Sequence, residues 1–225
     1  MASSLNNFAV TGPYRAGTLF LANALNGAPD WTVGHENNWY ADAYRHSKER
    51  FDHIQGRLNH DHYGEVNSGL SWIFDRLDVA RKGVILKDPR SCFISYINTK
   101  VLAKKVMAAY RYTEVYRMFG IKQYHLLDYE AAQLNIALKI YDKCIEDGSA
   151  RPIRFDKMVS DPDYLAAVCD YLGVKGVDCE AAINGGPRHK QSGVIKVFKK
   201  VEDLPRPLQE AMGKMEWFVD KYELN

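Results

Sequence analysis

The sequence has no run of apolar residues near the ~20 needed to cross a bilayer, and its first run, Phe8-Ala9-Val10, is too short for a secretory leader. The chain as given therefore reads as cytoplasmic, with no membrane partner expected. Its cysteines, Cys92, Cys144, Cys169 and Cys179, show neither CxxC pairing nor zinc spacing, so free thiols in a reducing compartment are expected, without a disulfide framework or a metal. Charge of one sign is lacking too. The 30 Lys and Arg against 28 Asp and Glu leave a net +2, which argues against a general nucleic-acid or membrane-surface binder and makes any anion site a local arrangement. No repeat, low-complexity tract or composition shift divides the chain, and one domain over residues 1–225 is expected. What is present, 46% hydrophobic and 26% charged residues in a chain of 225, is enough to bury a core and excludes a disordered or fibrous class.

Short apolar runs bounded by turn residues alternate with segments of helical period, the pattern of an α/β fold with a largely parallel sheet. Strands are predicted at 7–11, 30–34, 83–87 and 152–155. Asp161-Pro162 reads as an N-cap with proline at the first helical position, Leu165, Val168 and Leu172 as the buried face, and Gly173 as the stop. Leu134, Leu138, Tyr141 and Ile145 mark a second amphipathic helix; Leu208, Met212, Met215, Val219 and Tyr222 mark one final helix. Residues 35–65, with weak periodicity and several histidines, read as a substrate-facing insertion. His53, His60 and His62 lack a Cys or HExxH context, and a polar surface loop explains them better than a metal site.

The chemistry begins after the first strand, at Thr11-Gly12-Pro13-Tyr14-Arg15-Ala16-Gly17-Thr18, which runs into the helical pattern of Leu21, Ala22 and Leu25. A strand, a glycine loop and a helix start turn several backbone N–H groups toward one point, where the helix dipole adds positive charge for a phosphate or sulfate. The glycine spacing is that of GxxxxGK[ST], but Thr18 stands where that motif has its lysine. The missing lysine reaches β- and γ-phosphates, so a triphosphate with Mg²⁺ is disfavoured. Arg15 instead offers a permanent planar cation within the loop. A second basic element follows the strand Val84-Ile85-Leu86: Lys87-Asp88-Pro89-Arg90, then Ser91 to Ser95 entering a helix. A cation at the strand end and a hydroxyl a turn or two later make a second phosphate cradle at the carboxyl edge of the sheet.

Together these elements resemble the sulfotransferase superfamily. Arg15-Ala16-Gly17-Thr18-Leu19 is similar to its 5′-phosphosulfate loop, K/R-S/T-G-T/S-T/S, and Lys87-Asp88-Pro89-Arg90 through Ser95 is similar to its 3′-phosphate element, R-x-P-x-x-x-x-x-S. Arg154 to Val159 with Asp161-Pro162, leading to Tyr171-Leu172-Gly173-Val174, looks like the family's strand and helix ending in F/Y-L-G-hydrophobic. The resemblance implies a three-layer, P-loop-like α/β fold with a central, mostly parallel sheet flanked by helices. It implies 3′-phosphoadenosine 5′-phosphosulfate as donor, adenosine 3′,5′-bisphosphate as product, and no metal. Gly12, Tyr14, Arg15, Ala16, Gly17, Thr18 and Leu19 then serve the 5′ side, and Lys87, Arg90 and Ser95 the 3′ side. Lys87 replaces the usual arginine and gives up the bidentate fork. Ala16 and Leu19 lack hydroxyls many relatives carry, and the family's late R-K-G loop is matched loosely by Arg188-His189-Lys190.

For the proton of the acceptor, the resemblance points to Glu36, after the second strand, with its neighbour His35 as the other candidate; an imidazole of pKa ~6.5 suits general-base work. Trp39, Tyr40, Tyr44 and Tyr63 either line an acceptor pocket or cover the core. The acceptor class stays open among carbohydrate, phenol, peptide tyrosine, lipid and small metabolite. A P-loop kinase of a small metabolite and a non-catalytic nucleotide-binding protein of the same fold are the alternatives.

Overall fold

A computed structural model describes residues 5–35, 48–103, 124–185, 198–204 and 206–224. Five strands, β1 (Asn7–Thr11), β2 (Thr32–Gly34), β3 (Tyr63–Val66), β4 (Arg81–Leu86) and β5 (Arg151–Arg154), form one sheet in the order β2-β3-β1-β4-β5. Every pairing is parallel, so the expected α/β fold with a parallel sheet flanked by helices is the one observed. The fully buried β1, Asn-Phe-Ala-Val-Thr, is the central strand, as its unbroken burial on both faces requires.

Helix α1 (Thr18–Leu25) carries the chain from β1 out to β2, and α2 (Lys48–Leu58) brings it back to β3. With right-handed crossovers, these two helices cover opposite faces. The direction reverses at β1, and the crevice outside its carboxyl end is where open α/β sheets take ligands.

The described helices continue with α3 (Pro89–Ala103), α4 (Tyr124–Glu146), α5 (Phe155–Met158), α6 (Pro162–Leu172), α7 (Cys179–Gly185), α8 (Arg206–Gly213) and α9 (Glu216–Tyr222). The chain forms two compact units, each discontinuous in sequence: residues 1–87 with 139–189, and 88–138 with 190–225. The first holds the whole sheet with α1, α2, α5, α6 and α7. The second holds α3, most of α4, α8 and α9. Helix α6 forms as its sequence dictates: the Asp161 carboxylate accepts from Tyr164 N at 3.0 Å, Pro162 opens the helix, Gly173 closes it at φ 79°, and Leu165, Val168 and Leu172 are buried.

Two expectations need correction. Strand β3 lies within the stretch read as an insertion, and it sits between β2 and β1 in the sheet. Its sequence, Tyr-Gly-Glu-Val, hides the strand because it buries a carboxylate. Glu65 is 1% exposed and is satisfied by Tyr63 Oη at 2.9 Å, Asn67 Nδ2 at 3.2 Å and Arg57 Nη2 at 3.6 Å. Burial and the Glu65 charge push the Tyr63 phenol above its ordinary range, so it stays a donor. Tyr63 therefore belongs to the core and not to an acceptor pocket. The final helix is in fact two, α8 and α9, broken after Gly213; Met215 N turns back to Met212 O at 3.0 Å while Leu208, Met212, Met215 and Val219 still bury one stripe.

Gly64 faces the ring of Phe8, whose atoms occupy the place a Cβ would need. Gly64→Ala is expected to lower stability by about 1–3 kcal/mol through overpacking, read as a reduced urea midpoint at unchanged slope.

Candidate functional site

The carboxyl end of β1 turns into a loop that admits no side chain at two points. At Gly12 a Cβ would lie 2.9 Å from the Ile85 carbonyl oxygen, and at Gly17, 2.5 Å from Phe155 Cε2. Gly17 also has φ 96°, and Arg15 adopts the left-handed region at φ 67°, which is uncommon for a residue with a Cβ. These left-handed residues bend the chain into a concave turn of the kind that gathers backbone N–H groups. Helix α1 begins at once, with Gly17 as its N-cap and no side chain capping it, so its first-turn donors and dipole are available to an anion.

The side chains around the loop divide by role. Ala16 is fully buried and packs; Thr18 is 4% exposed, Tyr14, Arg15 and Leu19 are half-buried. His35, the residue after β2, is half-buried, and its Nε2 is 3.2 Å from Thr18 Oγ1. The structure thus brings one candidate base to the loop's hydroxyl. Glu36, Trp39, Tyr40 and Tyr44 lie outside the described residues, as do Arg188 and Lys190. Lys87, directly after β4, donates from Nζ to the Arg15 carbonyl oxygen at 3.2 Å and stands 4.0 Å over the ring of Phe155. From below, Tyr141 donates to the Gly12 carbonyl at 3.3 Å and lies 3.4 Å from Thr11 Oγ1. Tyr141 is buried, which pushes its phenol above the ordinary range and keeps it protonated. Read from sequence as a core stripe, it is also the support of the loop's first turn.

The second unit carries its own polar pocket, of about 530 Å³, at the start of α3. Arg90 and Ser95 line it, together with Lys199 and Lys200. Asp88 Oδ1 accepts from Arg90 N at 2.9 Å and Arg90 Nε at 3.1 Å, and Glu216 stands 3.7 Å from the guanidinium. Asp88 Oδ1 thus serves as both a cap and a brace. Lys199 and Lys200 were missed in the sequence because Glu202 and Asp203 beside them make the segment read as neutral. Their backbone is fixed: buried Asn98 exchanges two hydrogen bonds with Phe198, at 2.7 and 3.1 Å, and Asp203 Oδ2 accepts from Lys199 N and Lys200 N at 2.8 and 3.1 Å. Those N–H groups, Lys199 first, hold the Asp203 carboxyl below its ordinary range.

Among the described residues no group of His, Cys, Asp and Glu is arranged to hold a metal; His53, His60 and His62 are exposed, and His62 lies against Trp31 at 5.4 Å between ring centroids. No helix among them is long and apolar enough to cross a membrane.

No family model and no curated protein matches the chain. Among solved structures, the chain is similar to the crystal structure of a sulfotransferase from Alicyclobacillus acidocaldarius, at a TM-score of 0.47 and 14% identity, over 97% of this chain and 96% of that one.

Tyr141→Phe removes the donor to Gly12 and the partner of Thr11 without changing the packed ring. It is expected to cost about 1 kcal/mol of stability, measured by urea unfolding, and to speed hydrogen exchange in residues 12–18 relative to the rest of the sheet.

Proposed function

We propose that the chain transfers a sulfuryl group from 3′-phosphoadenosine 5′-phosphosulfate to an acceptor hydroxyl or amine. The observation that carries this reading is the loop itself: a strand-to-helix anion turn with left-handed Arg15 and Gly17, in which buried Thr18 replaces the lysine a triphosphate needs.

In this mechanism the backbone N–H groups of the loop and the start of α1 hold the 5′-phosphosulfate, with Arg15 neutralising the charge that grows on the departing phosphate. The acceptor attacks sulfur in line, the bond from sulfur to the phosphate oxygen breaks, and adenosine 3′,5′-bisphosphate leaves. The acceptor proton passes to a base at the end of β2. His35 takes that role in this reading, since its Nε2 is already at the loop's hydroxyl; Glu36 is its sequence neighbour and the competing candidate. Arg90 and Ser95 keep the 3′-phosphate role that the resemblance gives them. Four free cysteines suit a reducing, cytoplasmic setting.

Calorimetric titration with adenosine 3′,5′-bisphosphate, run beside ATP with Mg²⁺, tests the reading. Binding of the bisphosphate alone is expected, weakened at least about tenfold by Arg15→Ala and by Arg90→Ala, since loss of a charge-assisted contact is worth about 1.5–3 kcal/mol. Preference for MgATP would move the chain to the kinases. On any acceptor that turns over, His35→Gln should lower kcat by about 10²-fold or more with bisphosphate affinity kept. If Glu36→Gln does so and His35→Gln does not, the base is Glu36. Bisphosphate binding with no turnover on any acceptor would favour a non-catalytic nucleotide-binding protein.

A further inference from the structure

Phe155 is a half-buried aromatic at the first position of α5, and no role in ligand binding has been given to it above. Its ring occupies the space beside Gly17, with Cε2 and Cδ2 at 2.5 and 2.7 Å from where a Cβ would stand. The ammonium of Lys87 lies 4.0 Å from its centroid, and the same ammonium donates to the Arg15 carbonyl at 3.2 Å. The two residues thus touch the loop at both of its left-handed positions, Arg15 at φ 67° and Gly17 at φ 96°. Such backbone is unfavourable at a residue with a Cβ, and persists only where neighbours over-determine it. A carbonyl held from one side and a ring filling the other are such neighbours.

We infer that Lys87 and Phe155 form one clamp that holds the anion loop in its binding shape, and that both are positioning residues for the donor's 5′ end. The ring orients the ammonium, and the ammonium ties down the Arg15 carbonyl; the N–H of that same peptide, Ala16, is spent on the Pro13 carbonyl at 3.0 Å, so the clamp fixes the turn that leads into Gly17 and the first turn of α1, whose donors face the ligand. The identity of that ligand rests on the function proposed above. The clamp itself rests on the contacts alone. A lysine serving only as an independent phosphate ligand would not need the ring.

The experiment is a double-mutant cycle on the full chain, comparing wild type, Lys87→Met, Phe155→Leu, the double variant and Lys87→Arg. Two readouts are taken: the dissociation constant for adenosine 3′,5′-bisphosphate, and hydrogen exchange of residues 12–18. Far-UV circular dichroism and the urea midpoint check folding. Phe155→Leu is expected to weaken binding by about three- to tenfold, the range of a partly desolvated cation–π contact. The double variant should bind no worse than Lys87→Met, and Lys87→Arg, which can still stack and donate, should restore most of the affinity. Loop exchange should accelerate equally in both single variants. Wild-type affinity in Phe155→Leu, or strictly additive losses in the double variant, overturns the clamp. If wild type itself fails to bind the bisphosphate, the proposed function falls, and the exchange readout still decides the clamp: unchanged loop exchange in either single variant overturns it.

Discussion

Residue 17 has no room for a side chain, and much of the site follows from that exclusion. The ring of Phe155 stands where a Cβ would be, so the end of β5 can close directly over the turn between β1 and α1. Because Gly17 is left-handed and caps α1, the helix starts at once, with its first donors turned to the mouth of the sheet. A similar exclusion at Gly12, against the Ile85 carbonyl, lets β4 run alongside and deliver Lys87 to the Arg15 carbonyl. Close backbone approach at two glycines is thus what lets three strand ends, β1, β4 and β5, share one small loop.

The residue that follows Gly17 then decides the chemistry. A lysine there would reach along a chain of phosphates. Thr18 cannot; it is buried, and its hydroxyl is turned toward His35 at the end of β2. Under the proposed function the loop would hold one anionic group by backbone donors, with His35 one hydrogen bond from Thr18. That combination suits a transfer in which a single charged group is held while a neighbouring acceptor loses a proton.

Local signals made much of this legible in the sequence. The β1–loop–α1 unit is written in adjacent residues, and the Asp161-Pro162 cap, Gly173 stop and apolar stripe of α6 need nothing from elsewhere in the chain. What was not legible depends on residues distant in sequence. Strand β3 is recognisable only once Arg57, Tyr63 and Asn67 are known to satisfy Glu65, because a lone buried carboxylate would be too costly for a central position. The lysine pair at 199–200 was hidden by its acidic neighbours, of which Asp203 accepts from the backbone N–H groups of both lysines. The break between α8 and α9 was hidden because the buried stripe of methionines and aliphatics continues across it.

The way each cation is held also sorts their functions. A chain of net charge +2 can attract a multiply charged anion only through local excess, and bracing a cation with a carboxylate cancels that excess. Arg90 is braced by Asp88 and Glu216, so it contributes geometry more than charge. Lys87 is held by a carbonyl and an aromatic ring, neither of which carries a formal charge, so it is positioned without being neutralised. Fixing a cation by dipole and quadrupole keeps its field intact for a ligand, whereas fixing it by an ion pair does not. In the first unit Lys87 shares this way of being held with Lys82, whose Nζ donates to the Asp75 carbonyl at 3.2 Å and lies 5.7 Å from the Phe74 ring centroid. The α3 pocket mixes signs: Arg90, Lys199 and Lys200 line it together with Asp88 and Glu202, so its cations are screened by carboxylates in a way that Lys87 is not.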